Sequence, residues 1–267
     1  MTKRELLDRC AKDSDERMLL SRVLDKVEQA ANRGVPSSTQ FLSPGEQASV
    51  TDLLNAWGNP RHLFFGGYED AERRLCAFLP DWLEEEDFLT GEELPLSAVE
   101  ARFPGGASLT HRDILGSLMG LGITREKLGD ILLPEPGYCQ VVVMADALSI
   151  LTSQWESAGR YNCRDVRAIP LSALAPKPPQ IKTIRDTVAS PRLDAVLASA
   201  FSLSRSKAAA HIAAGKVAVN HRECLKSDKQ VEEGDVLTCR GLGKCVVKEV
   251  PGQSRKGRTM LVLERYI

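Results

Sequence analysis

Pro170, Pro176, Pro178 and Pro179 fall within ten residues of one another, and no regular element runs through such a segment. Each proline removes a backbone donor and fixes φ near −65°, so residues 171–180 read as a stiff linker and a domain boundary. The chain's 267 residues suffice for two or three small domains. Charge divides at the same place. Residues 181–267 hold sixteen Lys and Arg against nine Asp and Glu, net +7, whereas residues 1–180 carry −8. A basic C-terminal third beside an acidic remainder points to a polyanionic partner for one part only.

Several function classes recede on composition. No apolar run reaches the roughly 18–20 residues that span a bilayer, so no membrane insertion is expected. Met1-Thr2-Lys3-Arg4-Glu5 opens a charged helical pattern rather than a signal core, which makes the cytoplasm the default compartment. The seven cysteines include no Cys-x-x-Cys pair, and the four histidines lack ligand spacing with Asp, Glu or Cys. Neither a disulfide framework, a metal nor a cofactor is expected.

Residues 1–90 read as a mainly helical domain. Asp13 with Glu16 starts a helix whose apolar stripe is Leu20, Val23, Leu24, Val27 and Ala31, ending at Gly34. Ser43-Pro44-Gly45-Glu46 starts another, with Val50, Leu53, Leu54 and Trp57 on one face. A further helix is expected to carry Ala71, Leu75 and Phe78 after the Gly66-Gly67 turn. Glu84 to Asp87 reads as a solvated acidic boundary.

Residues 91–170 alternate strand and helix. Leu94 to Phe103 reads as a strand, and Thr110 with Asp113 caps a helix running to Gly120. Strands near 128–133 and 138–144, a helix with Leu148, Leu151 and Trp155, and a strand near 161–169 follow. This βαββαβ order is the ferredoxin-like arrangement, which hosts many functions besides RNA recognition.

Residues 181–267 read as a small domain with two helices and a sheet, giving an α+β chain overall. Ser190-Pro191 opens a helix with Leu193, Val196, Leu197, Ala200 and Phe201. Ser204 caps a second helix, which Gly215 ends. Val217 and Val219, a turn at Asn220-His221, and strands at 236–240, 244–250 and 259–265 follow. The basic segment 252–258 reads as a flexible loop, either tracking a phosphate backbone or forming a solvated hairpin.

The ordered run Arg192-Leu193-Asp194, Leu197, Ser204-Arg205, Ala208, Ile212, Gly215, Val217, Val219-Asn220, Lys226, Gly234-Asp235 and Arg240-Gly241 resembles the RNA-binding domain of small-subunit ribosomal protein S-four. His221 departs from it by replacing the usual glycine, so a looser or different turn is expected. Free amides at the second helix's start favour phosphate. Arg205 and Lys207 flank them about 200° apart, so they do not grip one phosphate together. The candidate RNA contacts are Arg192, Ser204, Arg205, Ser206, Lys207, Lys216, Asn220, Arg222, Lys226, Arg240 and Lys244.

Phe64-Phe65-Gly66-Gly67-Tyr68, Ala71-Glu72-Arg73-Arg74, Leu109-Thr110-His111-Arg112-Asp113 and Gly129-Asp130 extend the resemblance, over almost the whole chain, to the bacterial YlmH family. That resemblance implies a non-catalytic factor binding ribosomal RNA and peptidyl-tRNA on the large ribosomal subunit, in the rescue of stalled translation. It implies no DNA partner, and a monomer is the simplest state. His111, Arg112, Arg125 and Lys127 form a possible second RNA site. Tyr68 is read as a packing residue rather than a stacking platform.

Two other classes stand beside this reading. Arg192-Leu193-Asp194 echoes the Arg-Leu-Asp of pseudouridine synthases, but the Thr-Ser-Gly those enzymes carry nearby is missing. No strand is followed by Gly-x-Gly-x-x-Gly, and Leu118 occupies the Asn position of a kinase catalytic loop after His111-Arg112-Asp113. No catalytic residue is therefore assigned. A protein adaptor in cell division or photosystem II assembly is the other alternative, for which the acidic N-terminal part would serve.

Overall fold

Capping chemistry sets the first helices. The computed structural model describes residues 2–267. In it α1 (Lys3–Cys10) opens on a Thr2–Glu5 capping box. Asp13 starts α2 (Ser14–Arg33) by accepting the amides of Asp15 and Glu16, and left-handed Gly34 ends it. Leu20, Val23, Leu24 and Val27 are buried as their spacing predicts, but Ala30 rather than Ala31 completes the stripe. After β1 (Ser37–Ser38), the Ser43–Glu46 capping box opens α3 (Pro44–Trp57).

The helix expected around Ala71 to Phe78 is instead a strand. β2 (His62–Phe65) and β3 (Leu75–Phe78) pair antiparallel, with β3 central in the order β1-β3-β2. Cys76 and Phe78 face the helices, while Leu75 and Ala77 join a second cluster with Phe41, Leu96 and Val142. Burial on both faces removes the alternation that marks a strand. The acidic run contributes to a helix, α4 (Glu85–Thr90), which buries Phe88.

β4 (Leu96–Arg102), α5 (His111–Gly120), β5 (Leu128–Glu135), β6 (Tyr138–Met144) and α6 (Leu148–Gln154) follow. A small hairpin, β7 (Ser157–Ala158) and β8 (Tyr161–Asn162), precedes β9 (Asp165–Ile169). The sheet is antiparallel in the order β5-β6-β4-β9, the ferredoxin-like order. The α5 and α6 residues Ile114, Leu118 and Leu151 cover one face over Val99, Val141 and Val143. On the other face Val142 packs with Phe41 and Leu75, so residues before and after 90 share a core.

Leu171 and Leu174 pack against that same core. The Gln140 side chain donates to the Ala173 carbonyl at 2.9 Å and accepts the Ala175 amide at 2.7 Å. The chain divides into one unit ending at Lys177 and a second, Pro178–Ile267.

The second unit opens with β10 (Ile181–Val188), a strand the sequence reading did not find. Then come α7 (Leu193–Phe201), α8 (Arg205–Ala213), β11 (Val217–Val219), β12 (Arg222–Glu223), β13 (Val236–Cys239), β14 (Gly243–Gln253) and β15 (Thr259–Tyr266). The antiparallel sheet runs β10-β15-β14-β13-β11-β12. Fully buried Leu193, Val196 and Leu197 on α7 meet Ala208 and Ile212 of α8 and Leu263 of β15. Each large side chain buried this way contributes about 1.5–3 kcal/mol. Left-handed Ser202, φ 56°, makes the tight break between the helices. The Asn220-His221 turn is as tight as an Asn-Gly turn: Val219 pairs with Arg222, and both turn residues have positive φ, 49° and 64°. The looser turn expected there does not occur.

Candidate nucleic-acid interface

The start of α7 and the start of α8 meet around one carboxylate. Asp194, only 7% exposed, accepts the Arg205 guanidinium at 2.8 Å and the Arg192 guanidinium at 3.3 Å. Burial pushes its pKa up, but hydrogen bonds and charge from Arg205 and Arg192 outweigh burial and hold it below the usual carboxylate value. The cluster keeps a net positive charge, and 61% of the Arg205 side chain remains exposed. Asp194 thereby acts as a clamp that holds two guanidiniums.

Ser204 caps α8 by accepting the Lys207 amide at 3.3 Å. The Arg205 and Ser206 amides, in the first turn, have no intrahelical acceptor, so an anion there meets two donors, the helix dipole and the Arg205 charge. Lys207, Lys216, Lys226 and Arg240 are exposed, and among the described residues none lies within ion-pair distance of a carboxylate. Lys244 instead lies 4.1 Å from the Tyr266 ring centre. Arg222 is exposed on the terminal strand β12. The Asn220 side chain is spent on folding: it donates to Asp235 at 2.7 Å and accepts the Val236 amide at 2.9 Å.

The second expected patch is brought together only in part. His111 and Arg125 are close enough to interact. Loss of water on the ring's protein side and the Arg125 charge lower the His111 pKa, although the residue is exposed overall. Arg112 is exposed beside it on α5. Arg125 donates to the Leu128 carbonyl at 3.1 Å, and Lys127 pairs with Asp146 at 2.7 Å. The half-buried Tyr68 donates its hydroxyl to the Asp130 carboxylate at 2.8 Å.

The sheet face opposite α5 and α6 is largely closed. Gln140 and Glu100 are buried there, Glu100 between the Tyr138 hydroxyl and the Arg167 guanidinium. At its open end the Arg102 guanidinium stacks 4.8 Å from the Tyr138 ring centre. This pair was not singled out in the sequence, although the polar alternation of Glu100 and Arg102 along β4 was its signal. Arg258, read in the sequence only as part of the basic loop, donates its guanidinium to the Thr187 hydroxyl at 3.0 Å and to the Thr187 carbonyl, tying the 252–258 hairpin to β10.

Comparison with known proteins agrees with this architecture. Residues 91–172 match the family described as "Putative RNA-binding domain in YlmH", and residues 191–237 match the S4 domain. A Bacillus subtilis (strain 168) protein named ribosome-associated protein quality control protein P2 is 32% identical over 254 residues, covering 94% of this chain and 95% of that protein. The structure of cell division protein ylmH from Streptococcus pneumoniae aligns with a TM-score of 0.51 at 18% identity, over 61% of this chain and 95% of that one, a likeness of fold alone. With both domains in order and a relative of this identity along nearly its whole length, the chain belongs to the YlmH family.

Proposed function

We propose that the chain is a non-catalytic RNA-binding protein of the ribosome, engaging ribosomal RNA and tRNA on the large subunit during quality control of stalled translation. The observation that carries this reading is the Arg192–Asp194–Arg205 cluster at the start of α8, beside exposed Lys207, in a unit of net charge +7. One carboxylate orients two guanidiniums without cancelling both charges. This pre-organises an anion site of the kind phosphate oxygens fit. The name of the Bacillus subtilis relative supports the ribosomal setting.

Arg205→Ala tests the reading. Affinity for structured RNA should fall roughly uniformly across sequences, and the slope of log affinity against log salt should become shallower by about one. Unchanged affinity and slope would remove Arg205 from the interface. Sedimentation of cell extract tests the setting: co-migration with 50S particles that is lost at high salt is expected, and absence from ribosomal fractions would sink it.

A further inference from the structure

Between β10, α7 and the 252–258 hairpin lies a cleft of about 580 Å³, within the range of small-ligand sites. Val188, Ala195, Ala198 and Leu203 supply an apolar part of its lining. Three guanidiniums line it: Arg192 and Arg205 from the clamp, and Arg258 from the hairpin. Arg192 and Arg205 are fixed by Asp194, and Arg258 by Thr187. An apolar surface with several fixed cations suits a ligand that is flat and uncharged at one end and anionic at the other. A nucleotide lifted out of its stack has that chemistry, and proteins hold such bases against apolar or guanidinium surfaces while reading their edges.

Asp186 brings a carboxylate to the cleft. Among the described residues it is the only anionic side chain lining the cleft. Its carboxylate accepts the Thr187 amide at 2.7 Å on one oxygen and the Ser199 hydroxyl at 2.6 Å on the other. These bonds hold the carboxylate in place and leave each oxygen further accepting capacity. Two adjacent acceptor oxygens match two adjacent N–H donors. Among the four RNA bases, guanine presents that pair on its Watson–Crick edge, N1–H beside the 2-amino group.

We propose that this cleft receives one unstacked guanine nucleotide of the bound RNA, its base on the Ala195–Leu203 surface with its edge on Asp186 and its phosphate on Arg192 and Arg205. The proposal rests on the RNA-binding reading above and adds a base-specific subsite to what is otherwise a phosphate grip.

The test uses the full chain, isotopically labelled, with GMP, AMP and inorganic phosphate as probes in separate NMR titrations. GMP should give saturable amide shifts at Asp186, Ser190 and Leu203. Phosphate alone should move Arg192, Arg205 and Ser206 and leave Asp186 unshifted. AMP should bind at least about tenfold more weakly than GMP, the discrimination a paired edge contact provides. Asp186→Asn should abolish that preference, and Ala195→Phe, which covers that surface while keeping every arginine, should abolish the GMP shifts. Equal shifts from GMP and phosphate, or equal affinity for GMP and AMP, would overturn the proposal. If the cleft stays silent while Arg205→Ala still weakens RNA binding, the cleft assignment falls and the RNA-binding reading stands.

Discussion

The Asp130 carboxylate accepts the Tyr68 hydroxyl at 2.8 Å across 62 residues of sequence. It also takes the backbone amides of Glu72 and Arg73, at 2.7 and 3.0 Å. Burial and the neighbouring Asp130 hydrogen bond push the Tyr68 pKa well above the usual phenol value, so the proton stays between them. This ties the loop after β2 to β5. Asp130→Ala removes the acceptor for three donors and is expected to destabilise the first unit by about 2–4 kcal/mol in urea unfolding. Tyr68→Phe should cost only about 1 kcal/mol. Equal effects from the two changes would mean the carboxylate is not the hub.

Gly129 and Gly116 make a contrasting pair. A Cβ at Gly129 would stand 2.8 Å from the Phe41 ring and 3.1 Å from Val142, so Gly129→Ala should lose about 1–3 kcal/mol through overpacking. Gly116 lies within α5 with open space around it. Gly116→Ala should gain about 0.5–1 kcal/mol from the helix preference for alanine. Thermal melts of the two variants should therefore move in opposite directions.

Acid should weaken the Asp194 clamp. Its folded pKa lies below its unfolded value of about 3.9, so the clamp's contribution is complete above the unfolded value. It is lost as pH falls through the folded one. Urea midpoints should be flat from pH 7 to 5 and then decline below about pH 4. In Asp194→Asn that acid limb should be shallower, with a lower plateau at neutral pH.

Arg125 and Lys226 should separate stability from binding. The Arg125 guanidinium donates to the Leu128 and Gly129 carbonyls, so Arg125→Ala should lower the melting temperature with little change in RNA affinity. Lys226 is exposed, so Lys226→Ala should leave the melting temperature alone and reduce the salt slope by roughly 0.7–0.9. The reverse pattern would relocate the RNA surface to the first unit.

The sequence was informative where the chemistry is local. The boxes at Ser43–Glu46 and Thr110–Asp113, and the stop at Gly34, form as read because each involves residues a few positions apart. β3 escaped because burial on both faces left Leu75 to Phe78 uniformly apolar. β10 escaped because its exposed charges blur its alternation. At the candidate interface Arg192 and Arg205 were legible as charges, but their shared carboxylate follows from the Ser202 break that brings two helix starts together. The Arg258–Thr187 contact spans 71 residues and has no local signature.

β10 bears on how the second unit tolerates cutting. It pairs with β15 along its whole length, from Ile181 with Tyr266 to Val188 with Thr259. As the edge strand it carries exposed Lys182 and Arg185, the kind of charged border that discourages edge-to-edge association. A fragment trimmed to begin at Pro191 would trade that border for the apolar run Met260-Leu261-Val262-Leu263, left with open backbone donors and acceptors. Such a fragment should self-associate, whereas one beginning at Pro178 should remain dispersed.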